Sequence, residues 1–254
     1  MFACITCIAI VIDVNVDMFS MRKCKLHKSR STTVRNRRVM DLVSYITNAL
    51  HKDDIIAGYS TLQLKCGKDI IPIGHDSKCV SHLLQVIVSH LLRKALDKLD
   101  DCTFVENTVQ NSYPDYVIAV RGLHYAIDMK SCYRKNANQI SGFTLGTYRG
   151  YFKDRTTKRC IYMPYENFDK HVCICVVYSR LENTIRVADL FVREKWQIAS
   201  KHPGSGNTKN IGSIKNLKDI SSGKTCFKNE RDFDKYWMHY GDKPERNEGC
   251  VHRI

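Results

Sequence analysis

Residues Ser112–Ser131 read SYPDYVIAVRGLHYAIDMKS. Two carboxylates, Asp115 and Asp128, and one ammonium, Lys130, fall within this short stretch. These are the groups needed to hold a divalent metal ion and to activate water against a phosphodiester. Sheet geometry tests whether they can meet. Val117–Val120 and His124–Met129 are rich in strand formers, with Arg121-Gly122 between them. If that pair is a two-residue hairpin turn, Val120 faces Leu123 and Asp115 falls opposite Asp128. Opposed Cβ atoms lie about 4.5–5.5 Å apart, and like charges there repel. A cation must offset them, and a metal ion bound by oxygen ligands does so. Lys130, two residues beyond Asp128, points to the same face. The competing reading is an exposed hairpin that carries charges freely, and a three-residue turn would offset the two aspartates.

The chain that must position these groups has 254 residues, enough for one large domain or two small ones. Hydrophobic residues make up 43% and charged residues 26%, which excludes a disordered polyelectrolyte. The net charge is +14 and the pI about 9.2, a balance that favours a polyanionic partner, nucleic acid before an acidic membrane surface. Arg22–Arg38 holds eight Lys/Arg, and Asp13 and Asp17 are the acids of residues 1–39, so this segment carries six of the net charges. The remaining chain is still basic.

Twelve cysteines are scattered without a framework. Cys4-x-x-Cys7 is an isolated pair and Cys173-x-Cys175 alternates within an expected strand, so no structural zinc site is expected and the thiols read as reduced in a cytoplasmic protein. The apolar start MFACITCIAIVI is too short for a bilayer span of roughly 20 residues. The basic residues follow it rather than precede it, unlike a secretory signal. No membrane association is expected. Residues 1–39 read as a basic leader or an upstream start, with a DNA-binding arm as the alternative, and 40–254 as the functional domain.

Asp41–Leu50 and Val80–Leu99 have helical periodicity, the second with Leu83, Leu84, Ile87, Leu91 and Leu92 on one face. Tyr59–Ile73 reads as two short strands. Further strands are expected at the Val117–Met129 hairpin, Arg159–Tyr162, His171–Tyr178 and Thr184–Val192. A loop is expected at Pro203–Ser213 and a last helix at Glu230–Tyr240. In that helix Phe233, Tyr236, Trp237 and Tyr240 form a stripe that suits core docking better than base stacking. The pattern is α+β, a central mixed sheet flanked by helices.

Other segments carry weaker signals. PGSGNTKN (Pro203–Asn210) is a loop of small, hydrogen-bonding residues that can approach base edges, or an ordinary surface turn. Gln110 and Asn111 can reach base edges or sugars, or form a polar turn. Arg180 can hold a phosphate or simply cap a strand end. Gly223-Lys224-Thr225 ends like a phosphate-binding P-loop, but Lys218 stands where that motif needs its first glycine.

Taken together, IPIGHDSK (71–78), QNSYPDY (110–116), AIDMKS (126–131), FTLGTY (143–148), PGSGNTKNIGS (203–213) and DFDKYW (232–237) resemble, in order and near spacing, the EcoRV-type restriction endonucleases. These belong to the Pro-Asp…Asp/Glu-x-Lys nuclease superfamily, and the likeness runs over roughly residues 41–240. It implies a restriction-endonuclease-like fold and a homodimeric, Mg²⁺-dependent type II enzyme that cuts both strands of a short palindrome in double-stranded DNA. It implies that Asp115 and Asp128, with the Met129 carbonyl, hold the metal, and that Lys130 is the catalytic lysine. Gly204, Ser205, Gly206, Asn207, Thr208, Lys209 and Asn210 match the major-groove recognition loop, and Gln110 and Asn111 the loop near the minor groove and dimer contact. The recognition-loop likeness implies GATATC or a near relative. A cognate DNA methyltransferase is a possible partner. The sequence departs from the family at Gln85, where a third acid is expected, at Val109 in place of a glutamine, at Lys209 in place of a threonine, and in a shorter tail after Tyr240. Two other functions fit the same residues: a sequence-specific DNA-binding protein whose nuclease site has decayed, and a less specific repair nuclease.

Overall fold

Residues 172–178 form an unbroken apolar run, and Val172 through Val177 are completely buried. A strand with no polar face must be covered on both sides. The computed structural model, which describes residues 41–52, 63–66, 68–72, 76–109, 112–153, 162–181, 184–204 and 207–242, places this strand inside a five-stranded mixed sheet. The strands are β3 (Cys102–Glu106), β4 (Tyr116–Val120), β5 (Leu123–Tyr133), β7 (Lys170–Leu181) and β8 (Thr184–Glu194), in that spatial order. All neighbours are antiparallel except β5 and β7. Parallel strands need a long crossover, and here it carries β6 (Thr144–Thr147), a π turn at Arg149–Lys153 and a short 3-10 turn at Tyr165–Asn167.

One face of the sheet is covered by α1 (Leu42–Ala49) and α2 (Ser77–Leu96). Asp41 and Asp76 cap them, accepting hydrogen bonds from main-chain amides of the first turn. Val80, Leu84, Val88 and Leu92 form the buried stripe of α2 against Ile118, Ile127, Ile174 and Val176. Arg93 and Lys94 in its last turn complement the helix dipole. The other face holds a second core. There Val117, Ala126, Cys173, Cys175 and Val177 meet the crossover, a three-stranded sheet and the C-terminal helices. That small sheet orders β6, β10 (Asn207–Ser213) and β9 (Ala199–Gly204). The helices are α3 (Lys195–Ile198), α4 (Leu217–Ser221) and α5 (Glu230–Met238). Three residues of the expected aromatic stripe lie on α5, with Phe233 and Trp237 buried in this core and Tyr236 packed against it; the helix ends at Met238, so Tyr240 packs there from just beyond it. Burying a side chain such as Phe233 stabilises by about 1.5–3 kcal/mol.

The α+β class and the mixed sheet agree with the sequence expectation. The long helix starts at Ser77 rather than Val80, because the Asp76 cap lies further upstream. The strands expected within Tyr59–Ile73 are β1 (Gln63–Cys66) and β2 (Asp69–Pro72), an antiparallel pair. Pro203–Ser213 is not a loop throughout. It is most of a β-hairpin in which Gly204 pairs with Asn207, so only Ser205 and Gly206 stand between the strands. Its polar, glycine-rich composition hid the strands; Gly212 suits β10 because a Cβ there would lie 2.6 Å from the His202 carbonyl oxygen. Strand β3 was not anticipated. Residues 1–39, Gln110, Asn111, Arg159–Ile161, Ser205 and Gly206 lie outside the described residues, as do the side chains of Asn207 and Thr208. Among the described residues no helix is long and apolar enough to cross a membrane.

Candidate active site

The β4–β5 turn decides the geometry. Val120 pairs with Leu123 and Tyr116 with Ile127, so Arg121-Gly122 is a two-residue turn. Both residues have positive φ, 52° and 81°, as a type I′ hairpin requires. Continued one step, this register sets Asp115 against Asp128. Asp115 lies at the bend just before β4, clamped by Asn107: the Asn107 amide donates to the Asp115 carbonyl (2.8 Å) and its side chain donates to the Pro114 carbonyl (2.9 Å). The Asp115 carboxylate accepts a 2.7 Å hydrogen bond from the Met129 amide. In an extended strand a residue's N–H and C=O point to the same edge, so the Met129 carbonyl also faces the edge that β4 has just left.

Asp128 is only 3% exposed. Its Oδ1 accepts a 2.6 Å bond from Lys130 Nζ, and its Oδ2 lies 3.8 Å from Lys195 Nζ. Burial pushes the Asp128 carboxyl up, but the Lys130 and Lys195 ammonium groups more than offset this and hold it below the ordinary carboxylate value. Asp115 is pushed up to about 7 by burial and by the Asp128 charge. Burial would lower Lys130, but Asp128 and Asp115 hold it above the ordinary lysine value, so it is a fixed cation.

Asp115, Asp128 and Lys130 line one cleft of about 350 Å³ with Ser112, Tyr113, Thr144, Gly146, Thr147, Tyr151 and Asn210. Gly146 has φ +91°, and a Cβ there would collide with the Tyr151 hydroxyl. Asn210, from the expected recognition segment, reaches the cleft because β10 pairs with β6 at Thr147. The donor set suits a hard divalent cation: two carboxylates and a strand-edge carbonyl, all oxygen. Among the described residues no cluster of three or more His, Cys, Asp or Glu side chains could hold a metal. A site of this kind leaves positions for water and phosphate oxygens, as Mg²⁺ prefers.

Three expected residues stand elsewhere. Gln85, at the position of the expected third acid, is not brought to the carboxylates. It lies on α2 behind the sheet, where its carbonyl accepts from the Tyr116 hydroxyl (3.3 Å), and lines a separate cleft with Ser131 and Tyr133. Arg180 lies over the Tyr133 and Tyr178 rings beside that second cleft, at 5.6 and 5.7 Å from their centroids. Lys209 is exposed on β10. The sequence reading missed Asn107, just past the end of the neighbouring strand β3, and Lys195, which reaches the site from a distant segment. Nothing in its local setting, VREKWQIA, marks Lys195 out from its charged neighbours Arg193 and Glu194.

A mixed sheet that sets an aspartate at the end of one strand beside Asp-x-Lys on the next suits the class of metal-assisted phosphodiester hydrolases. The particular family follows from comparison with known proteins. The family model of restriction endonuclease EcoRV matches residues 61–253. The type II restriction enzyme EcoRV of Escherichia coli is 31% identical over 223 residues, covering 79% of this chain and 89% of that protein. The solved structure of NlaIV restriction endonuclease is 17% identical with a TM-score of 0.49, covering 76% of each chain. The chain belongs to the EcoRV restriction endonuclease family.

Proposed function

We propose that this enzyme is a type II site-specific deoxyribonuclease that hydrolyses both strands of a short palindromic site in double-stranded DNA, with Mg²⁺ and as a homodimer. The observation that carries the reading is the convergence of Asp115, Asp128 and Lys130 in one cleft with Asn210 of the β9–β10 hairpin. Residues 40–254 serve as one catalytic and DNA-binding domain. The same hairpin segment, Gly204–Asn210, reads base edges from the major groove, and Lys209 adds a phosphate contact. Its likeness to the family's recognition loop makes GATATC the first site to test. Gln110 and Asn111 approach the minor groove, and Arg180 meets the phosphate backbone.

Asp115, Asp128 and the Met129 carbonyl would hold the metal, which supplies Lewis-acid polarisation of the phosphate and charge stabilisation on the leaving oxygen. Lys130, charged and beside Asp128, orients the attacking water and offsets the negative charge that builds on the phosphate. Two-fold symmetry sets one such site on each strand. The surroundings of the enzyme are the cytoplasm, where a cognate DNA methyltransferase would protect the host site. A second reading, a DNA-binding protein with a decayed nuclease site, rests on Gln85 standing for the family's third acid, and it is weakened by the place of Gln85 outside the cleft.

Digestion of a mapped plasmid in Mg²⁺ and in chelator, with sequencing of the fragment ends, tests the proposal. Discrete fragments with one shared end sequence, absent in chelator, are expected. Site-specific binding without cutting in Mg²⁺ or Mn²⁺ would establish the second reading, and preference for damaged or branched DNA would point to a repair nuclease.

A further inference from the structure

Lysine is almost never fully buried without a partner, yet Lys195 is 1% exposed. Its Nζ lies 3.9, 4.6 and 5.4 Å from the ring centroids of Tyr113, Tyr151 and Tyr165. Such a ring cage suits a desolvated cation. The ammonium is aimed at Asp128 Oδ2, 3.8 Å away, the oxygen turned from solvent. Its main chain is pinned as well. Glu194 and Gln197 form a capping box around the first turn of α3, and Trp196 Nε1 donates to Glu194 Oε2 at 2.8 Å.

We propose that Lys195 is a positioning residue of the cleavage site: from the aromatic core beneath the cleft, on the same face of the sheet, it fixes the inner oxygen of Asp128, so that the outer oxygen and Asp115 present themselves to the metal. This rests on the metal-nuclease reading above. Lys195 does not line the cleft, so it touches no substrate and acts through Asp128. The division of labour between the two lysines follows. Lys130 is on the cleft side and now bonds to Asp128 Oδ1. It can turn to water and phosphate only if another cation still balances the buried carboxylate, and Lys195 is that cation. His171, held neutral by burial and by Lys195, contributes no competing charge; its Nδ1 shares a 2.6 Å hydrogen bond with the Tyr113 hydroxyl and so steadies one wall of the cage.

The test measures Tb³⁺ binding by tyrosine-sensitised luminescence without DNA, together with the Mg²⁺ concentration that half-saturates cleavage. Lys195→Met keeps the unbranched stem and removes the charge. It should weaken Tb³⁺ binding roughly 10–100-fold, the usual effect of losing an outer partner of a metal ligand, and raise the half-saturating Mg²⁺ by a similar factor. Lys195→Arg should restore most of the affinity. Phe233→Leu, a destabilised control in the same core, should lower Tm without moving either metal constant. Lys195→Gln gives the same comparison if the methionine variant does not fold. Wild-type metal affinity in Lys195→Met, or an equal loss in Phe233→Leu, would overturn the positioning role. A wild-type Tb³⁺ signal that survives Asp115→Ala would instead refute the metal site itself.

Discussion

The main-chain amide of Met129 donates a 2.7 Å hydrogen bond to the Asp115 carboxylate, so the strand that carries Asp128 also holds its partner in place. The two aspartates are therefore close but differently balanced. Asp128 has Lys130 and Lys195 against it, while burial and Asp128 push Asp115 up to about 7. Asp115→Asn should leave the fold as stable as wild type, since its amide oxygen can still accept from Met129. Asp128→Asn strands two cations and should destabilise by about 3–5 kcal/mol, the usual effect of breaking a buried pair. Urea denaturation of both variants in chelator measures the contrast. Equal losses would contradict this charge balance.

Asp234 gives a pH dependence away from the carboxylate pair. Its Oδ1 is buried without a hydrogen bond, and burial pushes its carboxyl up to about 6 against the pull of Lys195. The folded state thus binds the proton more tightly than the unfolded chain. Stability falls as pH rises between the ordinary value of 3.8 and about 6, and the full penalty persists above that. Asp234→Asn should leave Tm unchanged at pH 3.5 and raise it at pH 7.5. A shift of the same size at both values would rule out this source of the penalty.

Gln85 lies behind the sheet at Tyr116 rather than in the cleft. Restoring an acid there with Gln85→Glu should therefore change the cleavage rate by no more than about threefold, under roughly 1 kcal/mol of barrier. Single-turnover cleavage at saturating Mg²⁺ is the measurement. A rise of tenfold or more would mean that α2 does supply a metal ligand.

The β9–β10 hairpin makes separable predictions for specificity and affinity. Asn207→Ala should cost about 1–3 kcal/mol in binding to the cognate site and leave non-specific binding unchanged. Lys209→Ala should weaken both kinds of binding and reduce the slope of log K against log salt by about 1. Titrations of cognate and scrambled duplexes at several salt concentrations separate the two. A cognate-only effect of Lys209 would make it a base reader.

The Asp115–Asp128 pairing was legible because a period-2 pattern and a two-residue turn fix a register locally; Arg121 and Gly122 adopt the positive φ values that such a turn requires. The central strand was legible from its unbroken apolar run, and α5 from its aromatic spacing. The β9–β10 hairpin reads as a loop in sequence because NTKNIGS holds few strand-forming residues; its pairing with β6 is a distant contact. Lys195 escaped because its approach to Asp128 is tertiary, and Asn107 because the short strand before it was not marked by its pattern.

The most direct test concerns Lys130, whose ammonium lies 2.6 Å from Asp128 in the cleft. Single-turnover cleavage and DNA binding are measured for wild type and Lys130→Ala on a duplex carrying the cleavage site. Lys130→Ala should bind that site with unchanged affinity and cut it at least about 10²–10³-fold more slowly, the loss expected when a group that stabilises transition-state charge is removed. A Lys130→Ala enzyme that cuts as fast as wild type would contradict the Asp115–Asp128–Lys130 cleavage site.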